Sequence, residues 1–140
     1  MKLSDKLKQH KNLIEEKLRG DLYKVHKGPA GGIVFMQHDD GTFVECWTQD
    51  EPREITYNEA REYCKTLNYG GYNDWSLPTK DELDKMYDNK NQIGNFKLDC
   101  YWSDTEHSQC YAWDQCFNSG TQAATDNDWI GRVRVIRRFK

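Results

Sequence analysis

The chain has 140 residues, a formal net charge of -3 and an aromatic content of 13%, which suits a single domain with a substantial core. Basic residues are concentrated near the two ends, and the middle of the chain is strongly acidic. A protein that follows a phosphate backbone needs a clustered basic face, so this charge distribution argues against nucleic-acid binding.

Residues 1–28 are predicted to form an amphipathic helix followed by a linker. Apolar residues recur at helical spacing between Ser4 and Arg19, and Gly20 is suited to end the helix. Packing on the domain is the simplest role for this helix, and oligomerisation or attachment to a larger particle are the alternatives. The sequence contains no signal peptide and no apolar run of membrane-spanning length, so we expect no membrane span. The expected location is the cytoplasm or the surface of a larger particle such as a virion.

Residues 29–140 are predicted to form an α+β domain. Apolar runs at 33–36 and 43–47 flank the turn signal Asp39-Asp40-Gly41, which indicates a pair of strands. Two capping boxes, Thr56 with Glu59 and Thr79 with Glu82, indicate two short helices, the first ending near Gly70.

No helix is predicted after residue 89. The best strand candidates there are 112–117 and 133–136. The basic tail 132–140 alternates with apolar residues, which predicts a strand with one solvated face rather than a nucleic-acid patch.

Four short motifs in this domain occur in a characteristic order. They are Gly31–Phe35, Trp75–Thr79, Tyr101–Ser103 and Arg132–Arg134. With them, residues 31–139 resemble the Lcl C-terminal domain family. The resemblance implies a C-type lectin-like fold, in which two short helices pack on small antiparallel sheets with long loops.

Some members of that family are similar to the variable proteins of diversity-generating retroelements, in which a reverse transcriptase copies a template with errors at adenines. The segment after Tyr101 resembles their pattern of fixed and variable positions. The fixed residues, called the frame below, are Trp102, Ser103, Glu106, Ala112, Trp113, Gln115, Phe117, Gly120 and Gln122.

Between the frame residues, the segment 104–130 carries residues whose codons can be reached from an Asn codon by changing adenines alone. Lys, Glu, Gln, Met and Trp codons cannot be reached in this way, so Gln109, Trp113 and Trp129 are assigned to the scaffold. The codon-compatible residues are the candidate ligand-binding set: Asp104, His107, Ser108, Cys110, Tyr111, Asp114, Cys116, Ser119, Thr121, Ala123, Ala124, Thr125, Asp126, Asp128 and Ile130. We expect His107, Tyr111, Asp114 and Ile130 to supply central contacts.

Several aromatic and acidic residues have both a structural and a functional interpretation. Trp75, Trp102 and Trp113 could stack on a sugar, but large aromatic residues are usually core residues, and Tyr111 and Trp129 are the better contact candidates. The triplets Asn73-Asp74-Trp75 and Asn127-Asp128-Trp129 reverse the Trp-Asn-Asp order of calcium-binding lectins. Solvated loop acids are the favoured interpretation, and we predict neither a metal nor another cofactor.

The five cysteines have no metal-binding spacing, and their odd number leaves at least one thiol unpaired. Free thiols in a reducing compartment are the favoured interpretation, and a structural disulfide is the disfavoured one. Under the diversification hypothesis, Cys110 and Cys116 are chance products of mutagenesis.

The sequence therefore predicts a non-enzymatic binding module that displays a diversified surface on one face to a protein or a surface glycan. The first alternative is an undiversified carbohydrate-binding domain of the same family. The second is an enzyme of the formylglycine-generating type. The reactive cysteine arrangement of those enzymes does not match Cys110 or Cys116, and a shared fold alone does not imply a shared activity.

Overall fold

The computed structural model describes residues 23–140, so the predicted N-terminal helix lies outside the described residues. The described part is α+β, with two antiparallel sheets and three short helices. No helix within it combines the length and the apolarity needed to cross a membrane.

The first sheet has four strands in the spatial order β1-β2-β3-β7. Their bounds are His26–Lys27 for β1, Ile33–Gln37 for β2, Phe43–Cys46 for β3 and Ile136–Phe139 for β7. The pairing of β2 with β3 confirms the predicted hairpin, and β7 lies antiparallel beside β3. The last strand begins later than predicted because Val133 and Val135 direct their carbonyls to the amides of Glu51 and Trp47 outside a strand ladder.

The helices are α1 at Tyr57–Cys64, α2 at Lys80–Asp88 and α3 at Lys90–Ile93. Both predicted capping boxes are present at the starts of α1 and α2. The prediction that α1 continues to about Gly70 is wrong, because the Thr66 amide and hydroxyl both donate to the Tyr63 carbonyl and tighten the chain into a turn. The prediction that no helix occurs after residue 89 is wrong at α3, because four residues are too few to show a helical period.

The second sheet consists of β4 at Cys100–Ser108, β5 at Tyr111–Cys116 and β6 at Gln122–Asp126, in that spatial order. It contains most of the frame and most of the candidate ligand-binding residues. Trp102 on β4 is 1% exposed and belongs to a core cluster with Tyr57 of α1 and Trp75. The predicted core role of Trp75 and Trp102 is therefore confirmed, whereas Trp113 is half-buried.

The C-terminal arginines are largely buried in ion pairs, which corrects the prediction of a solvated basic face. Arg134 Nε lies 2.7 Å from Asp50 Oδ1, and Arg137 Nη1 lies 3.2 Å from Glu45 Oε1. The basic end of the chain thus neutralises acids from its middle. A sequence pattern does not reveal such ion pairs, because their two residues are more than 80 positions apart.

Candidate functional site

The residues predicted to be frame hold the second sheet against α2. Gln115 on β5 is fully buried, and its side-chain amide donates to Asp84 Oδ1 at 3.0 Å and to the Gly120 carbonyl at 3.1 Å. Its oxygen accepts from Gln122 Nε2, which also donates to the carbonyl of Lys80. The two frame glutamines therefore tie β5 and β6 to the start of α2.

Replacing Gln115 by leucine is expected to lower the free energy of unfolding by about 2 kcal/mol. The leucine would fill a similar space but would remove the donor to Asp84 and the Gly120 carbonyl and one of the two acceptors of the Gln122 amide. Urea denaturation measures the loss. Gln109→Leu is the matched control, because Gln109 is exposed in the turn between β4 and β5, and equal losses in the two variants would contradict this assignment.

Trp113 shares this helix-facing side of the sheet. The Lys80 ammonium lies 3.6 Å from the centre of the indole, a distance at which a cation is attracted by an aromatic face. The ring of His107 meets the same indole at 5.5 Å in an edge-on arrangement. Trp113 is thus partly covered by neighbours of this chain, which makes it a poor stacking platform for a sugar.

Most of the candidate ligand-binding residues are exposed. These are Asp104, His107, Ser108, Cys110, Tyr111, Ser119, Thr121, Ala123, Asp126, Asp128 and Ile130. Cys116, Ala124 and Thr125 are half-buried, and Asp114 is buried. Among the frame residues, by contrast, Glu106 is the exposed member, and the others are buried or half-buried. The frame defined by the resemblance is thus mostly buried or half-buried, and the candidate set is mostly exposed.

The candidate residues do not share a single face, because successive residues of a strand point to opposite sides of the sheet. One group surrounds the β4–β5 turn and the end of β6: Ser108, Cys110, Tyr111, Asp126 and Asp128. Ser119 and Thr121 lie in the β5–β6 turn at the other end of the sheet. Asp104 instead contacts α1, where its carboxylate lies 3.3 Å from Arg61 Nε.

A further group of candidate residues meets in a depression on the side of the second sheet that faces away from α2. This depression, called the sheet cleft below, has a volume of about 270 Å³. It is lined by Glu54, Asp99, Cys100, Asp114, Cys116, Ala123, Thr125, Trp129, Ile130 and Gly131. Half of these residues belong to the predicted set. Glu54 and Asp99 were missed, because they come from loops that carry no local signal of a site.

Trp129 forms a wall of the sheet cleft and is 68% exposed. Trp129 was assigned to the scaffold, but its side chain is exposed, and so is that of Gln109. The neighbouring Ile130 is 55% exposed. Two large apolar side chains next to each other at a concave surface are typical of a contact site.

Asp114 lies at the floor of the sheet cleft and is 8% exposed. Its Oδ1 atom is buried and has no hydrogen-bond partner within residues 23–140. Burial raises the pKa of this carboxyl above its ordinary value, although the neighbouring Thr125 hydroxyl acts in the opposite direction. A buried carboxylate that lacks an ion-pair partner costs free energy of folding.

Asp114→Asn is expected to raise the free energy of unfolding at neutral pH by about 1 kcal/mol, because it removes an unpaired buried charge. The pKa of Asp114 is higher in the folded state than in the unfolded state. The free-energy cost of burying its charge is therefore complete above the folded-state pKa and disappears as the pH falls. The advantage of the variant should therefore vanish below pH 3.8, the ordinary aspartate pKa. Thermal unfolding across this pH range measures it, and a variant less stable than the wild type at neutral pH would refute the prediction.

The cysteines correct one sequence prediction. Cys100 and Cys116 face each other across β4 and β5 and form a disulfide at the edge of the sheet cleft. The expectation of free thiols is wrong for this pair, because strand register brought together residues whose spacing carried no signal. Cys46, Cys64 and Cys110 are free. Burial raises the pKa of the Cys46 and Cys64 thiols to about 12, which opposes formation of a reactive thiolate.

Asp126 and the first two residues of the triplet Asn127-Asp128-Trp129 make contacts within or beside their own turn. Asp126 Oδ1 accepts from the Asp128 amide at 2.9 Å, and the Asn127 side chain donates to the Gln109 carbonyl. These contacts stabilise the turn that follows β6. In the other triplet, Asp74 pairs with Arg137.

The comparison with known families agrees with the motifs. The family model of the Lcl C-terminal domain matches residues 36–137, so the chain belongs to this family. The matched range begins within β2 and ends within β7, and it includes the whole of the second sheet and the sheet cleft. A search of curated proteins found no match to the chain.

Proposed function

We propose that this protein is a non-enzymatic binding module, a C-type lectin-like scaffold whose surface is diversified by a retroelement to bind a protein or a surface glycan. The observation that carries the proposal is the separation by burial. The residues of the candidate set lie mostly on the surface, while the frame residues between them lie mostly inside.

This separation is what a diversified protein requires. A substitution at an exposed position rarely changes stability by more than about 0.5 kcal/mol, so many variants of the surface can share one fold. Substitutions of buried residues such as Trp102 or Gln115 would cost several times more. Along β5, Gln115 faces α2 while the neighbouring Asp114 faces the sheet cleft, so one strand carries both a fixed and a changeable residue.

Binding by such a surface relies on a rigid background. The two sheets, the capping boxes and the buried ion pairs fix the backbone, so little conformational entropy is lost when a ligand binds. Individual contacts from exposed side chains contribute modestly. We propose that the N-terminal segment, outside the described residues, attaches or oligomerises the module, so that avidity strengthens binding.

The test is to sequence the DNA that surrounds the gene and align it with codons 102 to 130. The proposal predicts a near-copy of this region that differs at adenines in the codons of the candidate set and not in the codons of Trp102, Trp113 or Gln115. A reverse transcriptase gene should lie nearby. The absence of any such copy from the complete genome would overturn the diversification part of the proposal.

The alternative with its own support is a fixed carbohydrate-binding domain. Trp129 and Tyr111 are exposed aromatic side chains, and aromatic faces bind the apolar faces of sugars. Glycan arrays probed with the wild type and with Trp129→Ala distinguish this function, because a fixed lectin site should bind one sugar type and lose it in the variant. An enzyme of the formylglycine-generating type is less well supported, since it needs a cysteine that reacts unusually fast near neutral pH in thiol titration.

A further inference from the structure

The sheet cleft combines an acidic floor with an apolar wall. Asp114 contributes the floor, while Trp129 and Ile130 form the wall. Its volume of about 270 Å³ lies just below the range for sites that hold whole small molecules. The cleft therefore suits one protruding group of a larger ligand better than an entire oligosaccharide.

The charges around the sheet cleft are not balanced. The carboxylates of Glu54 and Asp99 lie 3.3 and 3.0 Å from Arg132, so one guanidinium serves both acids. Asp114 has no basic partner within residues 23–140, and its buried Oδ1 lacks even a hydrogen-bond donor. The cleft thus carries more negative than positive charge, and Asp114 is the acid that a ligand can neutralise.

We infer that the sheet cleft of this chain binds a lysine or arginine side chain that projects from a protein ligand. The inference deepens the function proposed above, which leaves the ligand open, and rests on it. The cationic end would pair with Asp114, and the aliphatic stem would lie against Trp129 and Ile130. A charged group paired with a shielded carboxylate interacts more strongly than with an exposed one, and a cation near an indole gains further stabilisation.

The assignment applies to this variant of the surface. Asp114, Cys116, Ala123, Thr125 and Ile130 all line the cleft and all belong to the codon-compatible set. Trp129 is not codon-compatible, so it would remain as a fixed aromatic wall beside a floor that changes. Variants with another residue at position 114 would then keep the Trp129 wall but would select a ligand group of different polarity or charge.

The experiment is a titration of the isotope-labelled full-length protein, followed by two-dimensional NMR. The probes are the Nα-acetyl N-methylamides of lysine, arginine and norleucine, the last being a neutral chain of similar length. The lysine or arginine probe is expected to shift the indole signal of Trp129 and the amide signals of Asp114 and Thr125, with a Kd on the order of 1 mM. The norleucine probe should bind at least about tenfold more weakly.

Asp114→Asn should weaken binding of the basic probe by at least about tenfold while remaining folded, because it removes charge without removing volume. Asp39→Asn is the matched control, since Asp39 is an exposed acid in the β2–β3 turn that neither lines the cleft nor belongs to the candidate set, and it should leave binding unchanged. Equal binding of the norleucine probe, retained binding in Asp114→Asn, or shifts located away from the cleft would each overturn the inference.

The failure of this inference can be told apart from failure of the proposed function. If the genome contains the template copy but the cleft does not bind the basic probes, the inferred ligand class is refuted and the proposal of a diversified surface stands. A cleft that binds basic probes in a genome without the copy would support the site and refute diversification. The two measurements use different material, so neither result decides the other.

Discussion

Replacing Trp102 by alanine is expected to lower the free energy of unfolding by about 3 to 5 kcal/mol. The indole is 1% exposed, its Nε1 donates to the Ile55 carbonyl at 2.9 Å, and its ring meets Tyr57 edge-on at 5.7 Å. Gly131 packs so closely on this indole that an added Cβ would lie 2.9 Å from Nε1. The alanine variant therefore loses a core side chain and the support of the loop that carries Trp129.

The matched control is Trp129→Ala, which removes the same side chain from an exposed position. This variant should change the free energy of unfolding by no more than about 0.5 kcal/mol. Urea denaturation of both variants, followed by circular dichroism, gives the comparison. Similar losses in the two variants would contradict the division of this segment into a buried frame and an exposed surface.

Removing the disulfide with the double variant Cys100→Ser and Cys116→Ser is expected to lower the free energy of unfolding by about 3 kcal/mol under oxidising conditions. The bond closes a loop across a sequence separation of 16 residues, and a crosslink of that span restricts the unfolded chain by roughly this amount. It also joins β4 to β5 at the edge of the sheet cleft. The midpoint of urea denaturation measures the loss.

Cys110→Ser is the control for the disulfide, because Cys110 is an exposed free thiol. It should be as stable as the wild type with and without reductant. Dithiothreitol should lower the stability of the wild type and of Cys110→Ser, but not that of the double variant. A wild type whose stability does not respond to reductant would contradict the assignment of this bond.

Elements with a local physical cause could be predicted from the sequence. The capping boxes at Thr56 and Thr79 satisfy backbone donors within three residues, so the sequence alone identifies both helix starts. The turn 39–41 likewise fixed the hairpin of β2 and β3. The end of α1 was predicted less well, since it depends on how the Thr66 side chain bonds to Tyr63.

Features that depend on distant partners could not be predicted. The pairing of Cys100 with Cys116 follows from the register of β4 and β5, and no spacing rule indicates it. The burial of Arg134 depends on Asp50, 84 residues earlier. The sheet cleft also joins loops from separate parts of the chain, so its acidic rim at Glu54 and Asp99 appears only when the chain is folded.

The contacts of two frame glutamines give a physical reason for the sequence pattern. Gln115 and Gln122 were assigned to the frame by resemblance and codon identity, without knowledge of any contact. In the structure they bond to each other and to α2. Their neighbours Cys116 and Ala123 line the opposite side of the sheet. Between Trp113 and Cys116, the alternation of fixed and changeable residues therefore matches the two-residue period of a strand.

The most direct test of the account is to sequence this gene from many members of a natural population of its host. We predict that substitutions accumulate in codons of the candidate set between 104 and 130, at first and second codon positions. The codons of Trp102, Ala112, Trp113, Gln115 and Gln122 should remain unchanged. A population in which codons 104 to 130 are invariant, or in which frame codons vary equally, would contradict a diversified surface on a fixed scaffold.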